Sequence, residues 1–262
     1  MFETARFESE RLVPASAVIG LGLAAFGGMM TLIAPGILGD VDIAALLEQY
    51  PSVMVEEMGL GHMGTIEGFI ALELYEYVWL LGLGAYVAYT AAGSIAGDVE
   101  TGRMDTLLAA PIARWRLLVE KYLALLTPIV VVNVVVFVGV TGAVQVIEET
   151  IPVADLVAVH VLSIPYLLAC GAFGMLVSVA APRRILAEGV AAGTIIGTFL
   201  FEMLLSNTDL AWLGGIAPMR YYDPLAILTE STYDPAGGAI LVSAAVVLLA
   251  GSAWLFGEVD VQ

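Results

Sequence analysis

Lys121 is the only lysine in this 262-residue sequence, Cys170 the only cysteine, and His62 and His160 the only histidines. That inventory limits the chemistry at once. A nucleotide-hydrolysing P-loop needs Gly-x-x-x-x-Gly-Lys-Ser/Thr, so that the lysine reaches the phosphates. Lys121 stands in "VEKYL" with no glycine beside it, so the chain is not expected to hydrolyse ATP by itself. An intramembrane hydrolase can be assembled on paper from Glu56, Glu57, His62 and His160. No His-Glu-x-x-His run exists, however, and zinc asks for three or four well-placed ligands, so no metal site is expected. Cys170 lies in an apolar run and is read as packing. What remains is carboxylate chemistry in greasy surroundings. Glu73 and Glu76 share a helical face near one end of an apolar run, and Glu202 lies at similar depth in another. Charge inside a span is costly and points to function by default. If the second and fifth spans line a pathway, these three acids are candidates for an acidic outer vestibule; the alternative is that they reach up to interfacial water. Asn133 lies midway in a third run, and Glu188 follows Arg184 at the spacing of a helical ion pair.

The elements that would position these groups are membrane spans. The chain is 60% hydrophobic and 13% charged, about half the charged share of a soluble domain, with a mean hydropathy of +0.94. Six apolar runs, about 12–33, 69–92, 117–144, 156–180, 185–205 and 237–256, are each long enough for a spanning helix. They are continuous, so helices are expected and not the short alternating strands of a barrel. The fold expected is therefore an all-α polytopic membrane protein, a single transmembrane domain over 1–262. The start mixes Phe2, Ala5 and Phe7 with charges, which fits an interfacial helix over 1–11. It shows no cleavage site after the apolar run, so no cleaved signal peptide is expected.

Basic residues set the orientation. Arg6, Arg11, Arg103, Arg114, Arg116, Lys121, Arg183 and Arg184 fall on one side if six spans alternate, and only Arg220 falls on the other. Both termini are then cytoplasmic, and the chain is a multi-pass protein of the cell membrane in contact with the lipid bilayer. The outer connections hold a short helix in "DIAALLEQY" ended by Pro51, and a surface-lying or re-entrant stretch in "AWLGGIAPMRYYDPLAIL" with Trp212, Tyr221 and Tyr222 at the interface. Gly189, Gly193 and Gly197 share one face of the fifth run, either for internal packing or for a subunit contact. A net charge of −17 excludes nucleic acid as a partner, and the lysine-poor acidity suits a halophilic archaeon.

Between the second and third runs stands "GDVETGRMDTLLAAPIARWR", residues 97–116. Asp98 and Thr101 are helix-capping types, Met104, Leu107 and Leu108 make one apolar stripe, and Pro111 cannot continue that helix. A short amphipathic helix held along the membrane surface follows, over a segment 98–116. On physics alone it either covers headgroups or grips a partner.

The series Glu100, Gly102, Asp105, Leu107, Leu108, Pro111, Arg114 and Lys121 resembles the signature of permease subunits of type-two ABC exporters, a Glu-x-Gly-Thr-x-Glu-x-Leu-Leu-x-x-Pro-like stretch between the second and third spans. Six spans, an amphipathic start, short outer helices before the last span, "YYDPLAIL" and the closing "FGEVD" extend the likeness over nearly the whole chain. Arg103 stands where the family usually has threonine, and Glu258 and Val259 stand where a basic pair often precedes the final acid, here Asp260. The resemblance implies a coupling helix that docks on a separate cytoplasmic ABC ATPase, with Leu107 and Leu108 as apolar anchors, Arg103 and Asp105 as polar contacts and Pro111 as a rigid corner. It implies a second permease copy or paralogue, export over import, and no cofactor on this chain, ATP and Mg belonging to the partner. The rival from another class is a secondary transporter or ion-conducting protein working through Glu73, Glu76 and Glu202.

Overall fold

The structure is a computed structural model that describes residues 3–51, 55, 59–109, 111–147, 151–206 and 208–258. It contains six helices long and apolar enough to cross a membrane: α1 (Glu3–Asp40), α3 (Ile66–Glu100), α5 (Arg114–Val146), α6 (Val153–Ala180), α7 (Arg184–Leu205) and α9 (Pro235–Glu258). Among the described residues three short helices connect them: α2 (Ile43–Leu47), α4 (Arg103–Leu108) and α8 (Pro224–Glu230). Tight 3₁₀ turns lie at Leu60–Gly64, Ala211–Ile216 and Pro218–Tyr221. The chain is an all-α polytopic membrane protein.

α3 and α6 form the centre. Half or more of their most apolar windows are buried, 50% and 56%, against 22% in α1 and α9 and 28% in α7. Small residues let the two central backbones touch. A Cβ at Gly174 would come within 2.2 Å of the Ala88 carbonyl oxygen. One turn on, Ser178 Oγ donates to the Ala92 carbonyl and accepts from the Ile95 and Ala96 N–H groups. α9 packs on α6, α7 on α3, and α1 on α5. Asn133 of α5 accepts from the Ser163 hydroxyl of α6 at 3.2 Å, so the polar group midway along the third span is a helix–helix tie.

Two elements differ from the sequence reading. Residues 3–11 and the first span are one helix; α1 runs unbroken from Glu3 through Pro14 and Pro35 to Asp40. At 1.5 Å per residue its 38 residues reach about 57 Å, well past a core of about 30 Å. α1 continues through Pro14 although proline removes one donor from its ladder, and the N–H groups of Thr4 and Ala5 find an acceptor in Glu120 of α5 at 3.1 and 3.4 Å. The second difference is in α3, where Ala71–Leu83 winds as a π-helix. Its i→i+5 bonding widens each turn, so residues three apart no longer stack on one face.

Candidate functional site

The segment after α3 is built around a sharp reversal. Glu100 ends α3, Thr101 caps it, and Gly102 takes a left-handed conformation (φ 70°, ψ 5°) before α4 begins at Arg103. Only glycine enters that region without a Cβ penalty, which accounts for the Gly102 of the motif. Asp98 and Thr101, read as helix starters, instead lie inside and just after α3.

α4 turns one side to the bundle. Met104 is fully buried among Ile95, Leu117 and Leu118, and Leu107 and Leu108 pack half-buried against the same cluster. Leu107 and Leu108, expected as apolar anchors for a partner, thus also cover part of the protein's own core and help to fix the orientation of α4. Asp105, Thr106 and Ala109 face outward, as does Pro111 beyond it; Ala110 is outside the described residues.

The arginines of the segment are engaged internally. Arg103 pairs with Glu8 of α1 at 2.7 Å and with Asp98 at 3.3 Å, and lies over the Phe7 ring. Arg114 donates to the Phe256 carbonyl at 3.0 Å and lies over that ring, closing the end of α9. Lys121 reaches inward from α5 to Asp98 at 2.6 Å and Glu8 at 3.3 Å, and donates to the Ser94 carbonyl. Its side chain is 2% exposed. A charge lock of Glu8, Asp98, Arg103 and Lys121 therefore joins α1, α3, α4 and α5. Sequence reasoning missed Glu8 and Asp98 as its members; the lone lysine entering an apolar run was the available signal, since a buried cation requires acids nearby. The eight basic residues assigned to one side do gather at one end of the bundle, which the Glu8–Arg103, Lys121–Asp98 and Glu100–Arg184 contacts tie together.

A cavity of about 370 Å³ opens at this end, lined by Arg11, Tyr89, Lys121, Arg184 and Glu188 among others. Glu188 pairs with Arg184 at 2.7 Å, as its spacing implies. At the opposite end a cavity of about 310 Å³ is lined by Glu76, Tyr77, Glu202, Arg220, Tyr222 and Asp223. Glu76 and Glu202 come together there and Glu73 does not, because the π-helical turn separates it from Glu76. Glu202 is 3.5 Å from Arg220, the single arginine of this end. Tyr222, expected at the membrane interface, is instead buried; it donates to the Val159 carbonyl at 2.7 Å and stacks on Tyr166, while Trp212 is 71% exposed. Burial holds the Tyr222 phenol well above its ordinary range.

His160 is enclosed by Tyr75, Trp79 and Phe137, with Nδ1 on the Leu156 carbonyl at 2.8 Å. Among the described residues no three His, Cys, Asp or Glu side chains converge as metal ligands. Glu56 and Glu57, the other members of the hydrolase reading, lie outside the described residues, as do Val259 and Asp260. Gly189, Gly193 and Gly197 meet nothing within 4 Å of a built Cβ, so that face of α7 is not packed within the chain.

Six helices of membrane-spanning length with a short helix braced across one end define a polytopic membrane protein. Comparison with protein families gives a match to the ABC-2 family transporter protein over residues 28–261. The chain belongs to that family and is the membrane permease of an ABC transporter. Comparison with curated proteins gave no match.

Proposed function

We propose that this permease works as an ATP-driven exporter with a separate cytoplasmic ABC ATPase, and that α4 is its coupling helix. The observation that carries the reading is the two-sided geometry of α4. Met104, Leu107 and Leu108 hold it on the bundle, and Asp105, Thr106, Ala109 and Pro111 are left as an outward surface. A helix fixed this firmly transmits a push from a docked partner into α3 and α5. Glu100, Gly102, Arg103 and Arg114 then act in shaping and bracing the segment, not in gripping the partner. The basic end is the cytoplasmic end, and both termini lie there. The open glycine face of α7 supports pairing with a second copy or a paralogue. The cavity at Glu76 and Glu202 is the outer mouth of the pathway, and ATP and Mg are held by the partner. The acidic, lysine-poor composition supports a halophilic archaeal source.

The test is co-expression of the full chain with an ABC ATPase from the same genome, sought first in an adjacent gene. Asp105→Arg combined with Thr106→Arg is expected to abolish co-purification of the ATPase while the permease still elutes as a single species. Undiminished co-purification would refute the docking surface. Transport in vesicles that lack the ATPase would favour the secondary-transporter reading instead.

A further inference from the structure

The first turn of α7 has a capping problem. The first four N–H groups of a helix lack partners within it. The residue in the capping position is Arg183, extended at φ −145° and ψ 143°, and its side chain makes no cap. The acceptor comes from another helix: Glu100 Oε2 takes the Arg184 N–H at 2.9 Å. A carboxylate there also meets the positive end of the α7 dipole.

The same turn is seated on α3 just before Glu100. The Arg184–Glu188 pair lies over Gly93 and Gly97. A Cβ at Gly93 would stand 2.5 Å from Glu188 Oε1, and one at Gly97 would stand 3.1 Å from Arg184 Cδ. Further along, α7 has an open face, and its far end supplies Phe199, Glu202 and Met203 to the outer cavity. One helix thus touches Glu100 at its first residue and the outer cavity near its other end, about 22–28 Å away along the helix axis. Glu100 itself is two residues before the Gly102 reversal and three before α4.

We propose that Glu100 is a positioning residue for transport. It fixes the first turn of α7 to the end of α3, so that displacement of α4 is delivered to α7 and hence to the outer cavity. The inference rests on the reading of α4 as the ATPase-docking helix, and it removes Glu100 from the docking surface. The bond requires an acceptor and not a charge, so glutamine should serve and alanine should not.

The experiment uses the full chain with its ATPase in proteoliposomes. Met203→Cys on a Cys170→Ala background is labelled by a membrane-impermeant maleimide, with and without ATP trapped by vanadate. In the otherwise unchanged chain and in Glu100→Gln, nucleotide should change the labelling rate by at least about fivefold, the scale of an ordinary coupling free energy. In Glu100→Ala the rate should be insensitive to nucleotide while the ATPase co-purifies undiminished. A Glu100→Ala protein that keeps the full nucleotide response overturns the proposal, as does loss of the ATPase from both Glu100 variants. A chain with native Glu100 that holds the ATPase but shows no nucleotide response in the labelling rate also overturns it. If that chain fails to hold the ATPase, the docking reading itself is what fails.

Discussion

Replacing Lys121 by methionine is the sharpest test of the charge lock. The lysine side chain is 2% exposed, and its partners Asp98 and Glu8 are 10% and 15% exposed. Removing one partner of a buried pair strands the other, at a cost of about 3–5 kcal/mol. Here Arg103 remains within 2.7 Å of Glu8 and 3.3 Å of Asp98, and it compensates in part. The expected loss for Lys121→Met is therefore about 2–3 kcal/mol, above the roughly 0–1 kcal/mol of an exposed pair. Asp98→Asn should show a comparable loss, and the double variant should fall short of the summed losses by about 1–2 kcal/mol, because the two groups share one interaction. The assay is the fraction folded of the purified protein through an SDS titration, at low and at high salt. Salt should leave the loss unchanged, since screening acts on solvent-exposed charge. A loss under about 1 kcal/mol, additive single losses, or a loss that disappears in salt would each refute the argument.

Two further outcomes follow from particular residues. Gly102→Ala should cost about 1–2 kcal/mol from its left-handed backbone alone, since a Cβ there meets nothing within 4 Å; Gly189→Ala, equally open but helical, should be neutral or stabilising in the same SDS titration. Tyr222→Phe should lose about 1 kcal/mol with the bond to the Val159 carbonyl, and an unchanged unfolding midpoint would contradict the burial of that hydroxyl.

The spans were legible because continuous apolar runs and loop arginines act through the bilayer, and such signals do not depend on which helices touch. Six helices of spanning length are present, and every arginine but Arg220 gathers at one end. The failures came wherever a neighbour decided the outcome. Glu73 and Glu76 share one face only in a helix of ordinary pitch, and nothing in "ALELYEYVWLLGL" announces a π-helix. Tyr222 looks amphipathic alone, yet Val159 gives its hydroxyl a buried acceptor. Leu107 and Leu108 make an apolar stripe that suits a partner's groove or the protein's own core equally well. Their half-burial against the cluster of Leu117 and Leu118 shows that the core has first claim.

That last point changes where recognition can reside. A coupling surface read from the motif would be apolar and basic, from the leucines and arginines. In the folded chain Arg103 is taken up by Glu8 and Asp98, and Arg114 by the end of α9. What α4 presents is one acid, Asp105, beside the small and uncharged Thr106, Ala109 and Pro111. Under the proposed docking role, a partner fitted to this surface would bring the cation itself and approach closely, because small side chains leave no long reach. Arg103 and Lys121, two of the eight basic residues at this end, thus brace α4, and under the proposed coupling role the motif divides into residues that set the helix in place and residues left free to meet a partner.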